Sequence, residues 1–260
     1  MSNVLEIDRD GAVAVVTMNR PDALNALSPE LLDGLAATMK ELAEDTSVRC
    51  VMITGAGRAF SAGGDVKGMA GRATAGAARP GSLRDQEETS RLLYEMPKPT
   101  IAAINGHAVG AGLSIALSAD IRVASDRAKL GTAFARVGFS GDFGGTWLLQ
   151  RLVGPSKAKE LYFLAEIMDA QQALALGLVS RVVPHDDLMS EAMTLAKRLA
   201  DGPTLAYARM KENFTFGATN AFGDALTQEA RNMEASRHTD DHKNAARAFV
   251  EKREPTFAGR

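Results

Sequence analysis

One carboxylate, Asp142, stands inside "SGDFGGTW" (Ser140–Trp147), among small residues and just ahead of an apolar helical pattern. An aspartate there has two uses. It can cap the coming helix with a side-chain oxygen. It can also give and take protons where glycines let a ligand approach the backbone. Three more segments have the same character: "RPDALNALS" (Arg20–Ser28), "GAGRAFSAGGDVKGM" (Gly55–Met69) and "NGHAVGAGLSIALSADI" (Asn105–Ile121). Each follows a strand pattern, and glycines at strand ends free backbone N–H groups to point at a ligand, above all where a helix begins.

Other chemically able residues give weaker signals. Ser114 in "GAGLSIA" lacks the setting of an activated serine and reads as a core-helix serine. "GAGLS" and "GAGRAF" complete neither a dinucleotide fingerprint nor a P-loop lysine pattern. The four histidines (His107, His185, His238, His242) show no metal-ligand spacing, so no metal is expected. His238 and His242 read as an exposed helix face, whereas His107, after Asn105-Gly106, is a candidate wall of a ligand pocket. Between Asn105 and Gly145 there is no glutamate, and Asp120 and Asp126 flank "IRVAS" as structural turn residues. From the residues alone, Asp142 stays open between the capping and the proton-transfer reading.

The elements that position these segments alternate. "AVAVVTM" (Ala12–Met18), "VRCVMIT" (Val48–Thr54), "TIAAI" (Thr100–Ile104), "IRVA" (Ile121–Ala124) and "LVSRVV" (Leu178–Val183) read as strands. Ser28-Pro29-Glu30 opens a helix as cap, first residue and acidic first turn, and Leu31, Leu35, Met39 and Leu42 form its apolar stripe. Strand–helix alternation over the first two-thirds predicts an α/β core. Residues Met69 to Ser82, rich in Ala, Gly and Arg without periodicity, read as a mobile loop. From about Pro203 helical patterns follow one another with no strand. The chain therefore divides into a core over 1–202 and a helical segment over 203–260.

Composition removes several function classes. At 260 residues, 45% apolar and 24% charged, the chain can bury a large core. A formal charge of -2 and a pI near 6.1 leave no basic face for nucleic acid or anionic lipid. The lone cysteine, Cys50, excludes an internal disulfide and suits a reducing compartment. "MSNVLEIDRDG" has no signal-peptide pattern, and Asn105, His107 and glycines interrupt the longest apolar tract, Thr100–Ala119. A cytoplasmic protein without a membrane span is the expectation.

In this order and at these spacings, the four segments resemble the crotonase (enoyl-CoA hydratase/isomerase) superfamily, from about Val4 through the tail "EKREPTFAGR" to Arg260. The resemblance implies an α/β spiral of ββα units with a C-terminal helical trimerisation segment. It implies an acyl-CoA thioester as substrate, no separate cofactor, and a homotrimer or dimer of trimers. By motif, the Ala62 and Ala111 backbone N–H groups would hold a thioester enolate oxygen. CoA and acyl group would lie along Ala23, Leu24, Gly63, Gly64, Asp65, Val66, Gly110 and Ala111, with His107 and Phe134 beside them. Such preorganised donors are typically worth about 3–4 kcal/mol each in the transition state.

Family hydratases use two glutamates, and the motifs place Ser114 and Phe134 at those positions. Asp142, ahead of "FGGT", resembles instead the base of the isomerase branches, closest to the ring-epoxide isomerases of phenylacetyl-CoA degradation. "GDFGGTWLL", "VGAGLSIALSADI" and "AFVEKREPTFAG" carry that likeness. One carboxylate suits an isomerase, since a single base can remove a proton from one carbon and return it to another. Phe134, Phe139 and Phe143 are expected to shield it from water, which strengthens a carboxylate as a base. The alternatives are a hydratase or other enolate-using member and, outside catalysis, an acyl-CoA-binding or RNA-binding member. The near-neutral charge argues against RNA.

Overall fold

The computed structural model describes residues 4–66, 68 and 83–260. The loop expected over Met69 to Ser82 lies outside the described residues. The main sheet contains β1 (Leu5–Asp10), β2 (Val13–Met18), β3 (Cys50–Gly55), β5 (Thr100–Ile104), β7 (Ile121–Ser125) and β10 (Arg181–Val183), hydrogen-bonded in that order. Within this sheet, among the described residues, only β1 and β2 pair antiparallel. The rest is parallel, with Val13 opposite Cys50 and Ile101 opposite Ile121.

Parallel strands covered on both faces must be apolar throughout, and every residue of β3 and β5 is buried. Alternation divides their side chains. Cys50, Met52, Ile101 and Ala103 face α8 (Leu188–Ala200) through Leu188, Ala192 and Ala196. Val51, Ile53, Ala102 and Ile104 join the larger core with α1 (Pro29–Glu44). Ser28 caps α1 as expected, its hydroxyl accepting from the Leu31 N–H at 3.3 Å. Leu31, Leu35, Met39 and Leu42 are all buried.

The second sheet is built from very short strands, in the order β4 (Ala59–Ser61), β6 (His107–Val109), β8 (Lys129–Gly131) and β9 (Met168–Asp169). Long strands of the first sheet run on into short strands of the second: β3 into β4, β5 into β6 and then α4 (Ala111–Ser118), β7 into β8. This is the expected spiral of ββα steps. The glycine-rich segments fall at the corners of the spiral, and three of them line one cavity.

Beyond α8 the chain is helical: α9 (Thr204–Gly217), α10 (Phe222–Arg237) and α11 (Asp240–Glu251). Lys211 of α9 reaches the core at Asp120, 2.8 Å away. Asp120 also accepts from the Thr100 N–H at 2.8 Å, the turn role expected of it. Phe214, Phe222 and Phe249 on these helices are more than three-quarters exposed. No described helix is long and apolar enough to cross a membrane.

Candidate active site

The site begins with two loops laced together. Asn25 is fully buried with φ of 54°, and its amide donates to the carbonyls of Ala56 and Ala59 at 2.9 and 2.7 Å. Asn105 donates likewise to Gly55 and Gly57, both at 2.8 Å. The Ser61 hydroxyl donates to the Asn25 carbonyl at 2.8 Å. These bonds lay "RPDALNALS" along the "FSAGGD" turn, and that contact corrects one expectation. The Ala62 N–H donates to the Leu24 carbonyl at 2.9 Å, so it is committed to the scaffold and cannot receive an enolate oxygen.

The N–H available on this turn belongs to Gly64. Leu27 N–H bonds the Gly63 carbonyl at 2.8 Å, while the Gly64 N–H makes no hydrogen bond among the described residues. Its counterpart is Ala111, the first residue of α4, whose N–H has no partner within the helix. Gly63 lets the two segments meet. At φ of +86°, a Cβ there would stand 2.6 Å from the Val109 carbonyl oxygen and 3.4 Å from the Ala111 nitrogen. Two backbone donors, one at the positive end of a helix, face one space.

That space is a cavity of about 240 Å3, and Gly63, Gly64, Gly110, Ala111, Phe134 and Asp142 line it. Asp142 is the sole carboxylate in its wall among the described residues. The capping role does not apply to it. Helix α5 (Gly145–Val153) takes Gly144 as its cap and receives no side-chain capping bond. What Asp142 gives that turn is its backbone carbonyl, which accepts from the Gly145 N–H at 3.1 Å.

The other expected positions divide between the cavity wall and its surroundings. His107 is exposed at the start of β6 and does not line the cavity. Ala108 and Val109 separate it from Gly110, three steps of extended chain or about 10 Å along. Ala23 and Leu24 adjoin the cavity behind the Ala62 turn without lining it. Val66 lines its rim, half-exposed. The Asp65 carboxylate is engaged locally, accepting from the Gly68 N–H at 2.9 Å and pairing with Arg20 at 3.3 Å. Phe139 is 55% exposed, so of the three phenylalanines expected to shield Asp142 only Phe134 and Phe143 are buried.

Two residues were not singled out in the sequence. Tyr162, on α6 (Pro155–Leu164), stacks on Phe134 with ring centroids 5.8 Å apart and places its hydroxyl against Ser114. Burial pushes this phenol up to about 12, with the nearby Asp142 charge acting in the same direction and the Ser114 hydrogen bond opposing both. Glu87, just before α3 (Glu88–Glu95), accepts from the Phe143 N–H at 3.0 Å. Neither stands in a glycine-rich motif, and only tertiary folding brings them beside Asp142.

Such an arrangement can remove a proton next to a thioester and hold the oxygen that becomes negative. Comparison with known proteins gives the family. Residues 8–260 match the family model described as enoyl-CoA hydratase/isomerase. The chain is 38% identical to the short-chain-enoyl-CoA hydratase of Clostridium acetobutylicum, over 97% of this chain and 96% of that one. It is 36% identical to the 1,2-epoxyphenylacetyl-CoA isomerase of Escherichia coli K12, over 95% of both. The crystal structure of an enoyl-CoA hydratase from Bacillus anthracis superposes with a TM-score of 0.92 at 33% identity, covering 99% of this chain and 100% of that one. The chain belongs to the enoyl-CoA hydratase/isomerase family and has the crotonase fold.

Proposed function

We propose that the protein is an acyl-CoA isomerase that shifts a double bond, or opens a ring epoxide, through a thioester enolate. The observation that carries this reading is one carboxylate, Asp142, single among the described residues that line the cavity with the Gly64 and Ala111 N–H groups. For a 3-enoyl thioester, Asp142 takes a proton from C2 and the negative charge passes to the thioester oxygen between the two donors. The same carboxyl returns the proton to C4, and the double bond then lies between C2 and C3. CoA lies along the segments from Ala23 to Leu24 and from Gly63 to Val66. The active form is a trimer or a dimer of trimers.

Names among the relatives favour a second reading, a hydratase. Addition of water is easiest with two acid–base groups about it, and Ser114 and Phe134 supply neither. One variant separates the readings. Asp142→Asn keeps the shape and removes the base, so conversion of 3-hexenoyl-CoA to the 2-enoyl product should fall by orders of magnitude, and α-proton exchange with solvent should stop. Efficient hydration of crotonyl-CoA by wild type, retained in Asp142→Asn, would overturn the isomerase reading.

A further inference from the structure

We infer that Glu87 is a positioning residue that fixes the direction of the Asp142 side chain, an inference resting on Asp142 as the acid–base group. Glu87 occupies the cap position of α3, yet its side chain makes no bond to the N–H groups of that helix. Oε1 instead crosses to the Phe143 N–H at 3.0 Å, joining residues 56 apart in the chain. Phe143 directly follows Asp142, so this bond holds the peptide plane from which the Asp142 side chain departs.

The loop needs such a hold. Gly141, Phe143 and Gly144 all have positive φ, of 112°, 51° and 72°. A bulky residue such as Phe143 adopts the left-handed region only where its surroundings impose it. Phe143 is 2% exposed, and the hydrogen bond to Glu87 satisfies a backbone N–H that burial would otherwise leave costly. The anchor is rigid in turn. Thr89, Ser90, Leu92 and Leu93 of α3 are buried, and Leu92 and Leu93 belong to the main core. A general base must lie within hydrogen-bond reach of its proton, and a displacement of about 1 Å can lower a rate on the order of 10²-fold.

The test compares three variants of the full-length protein on 3-hexenoyl-CoA. Glu87→Ala removes the acceptor, Glu87→Met removes it while keeping most of the bulk, and Glu87→Gln keeps an oxygen able to accept the same N–H. Positioning predicts that Ala and Met lower kcat by about 10- to 100-fold with KM within about twofold, and that Gln restores most of the rate. Equal losses in Gln and Met would mean that the carboxylate charge, not an oxygen accepting from the Phe143 N–H, carries the effect, and would overturn positioning. An unchanged kcat in a folded Met variant would overturn it too. Asp142→Asn keeps the parent reading separate. If it retains turnover, the assignment of Asp142 falls; if it is inactive while Glu87→Met is unaffected, only the positioning role falls.

Discussion

The ring of Tyr162 lies within 3° of parallel to that of Phe134, so one wall of the cavity is two aromatic layers deep. The outer layer meets the ligand space, and the inner one carries a hydroxyl to Ser114. The Asp142 loop closes over this hydroxyl pair. A Cβ at Gly145 would meet Ser114 Oγ at 2.2 Å and the Tyr162 oxygen at 2.5 Å, and only a glycine fits there.

Tyr162 should leave a mark on alkaline stability. Its ordinary value of 10 rises to about 12 in the folded protein, chiefly through burial. A raised pKa contributes stability that is present below the unfolded value and lost as pH rises through the folded one. Stability should therefore fall between about pH 10 and 12, and Tyr162→Phe should make that fall shallower. Urea midpoints measured across this range decide it, and equal slopes in both proteins would remove Tyr162 as the cause.

Ala62 and Ala111, paired as oxyanion donors by motif, should behave differently from each other. Ala111→Pro replaces the N–H at the first position of a helix, where proline is tolerated. Its kcat should drop about 10²–10³-fold with little change in melting temperature. Ala62→Pro breaks the bond to Leu24 and should destabilise the fold, on the order of 1–3 kcal/mol. A folded Ala111→Pro protein with wild-type turnover would refute the donor assignment.

Helices α9 to α11 expose Phe214, Phe222, Met233, Phe249 and Val250 well beyond what a lone helical cap would. Light scattering at micromolar concentration should give three or six chains per particle. Replacing Phe249 and Val250 by Glu should shift the mass downward if these residues meet another copy. A stable wild-type monomer would end the trimer proposal.

The long elements were legible in the sequence because their signals are local. The Ser28-Pro29-Glu30 start of α1 and the β-branched runs of β2, β3, β5 and β7 announce themselves within a few residues. The short strands of the second sheet did not. With two or three residues each, they show no periodicity, and pairing alone defines them. β1 was missed for another reason: five of its six residues are exposed, so its pattern is that of a polar edge. The site divides the same way. Asp142, Gly63, Gly110 and Ala111 sit in motifs that can be read off the chain. That Ala62 spends its N–H on Leu24 can be known only once two loops lie side by side.

The packing around Ser114 also constrains the order in which this scaffold could change its reaction. Two donors here are main-chain groups that persist through side-chain replacement, so new chemistry arrives by swapping the few side chains around them. A glutamate at position 114 would grow into the Tyr162 hydroxyl, beneath a turn that already excludes a methyl group. Tyr162 must shrink before Ser114 can lengthen. The two positions are coupled through this contact, and a library that varies both should recover variants that one varying position 114 alone misses.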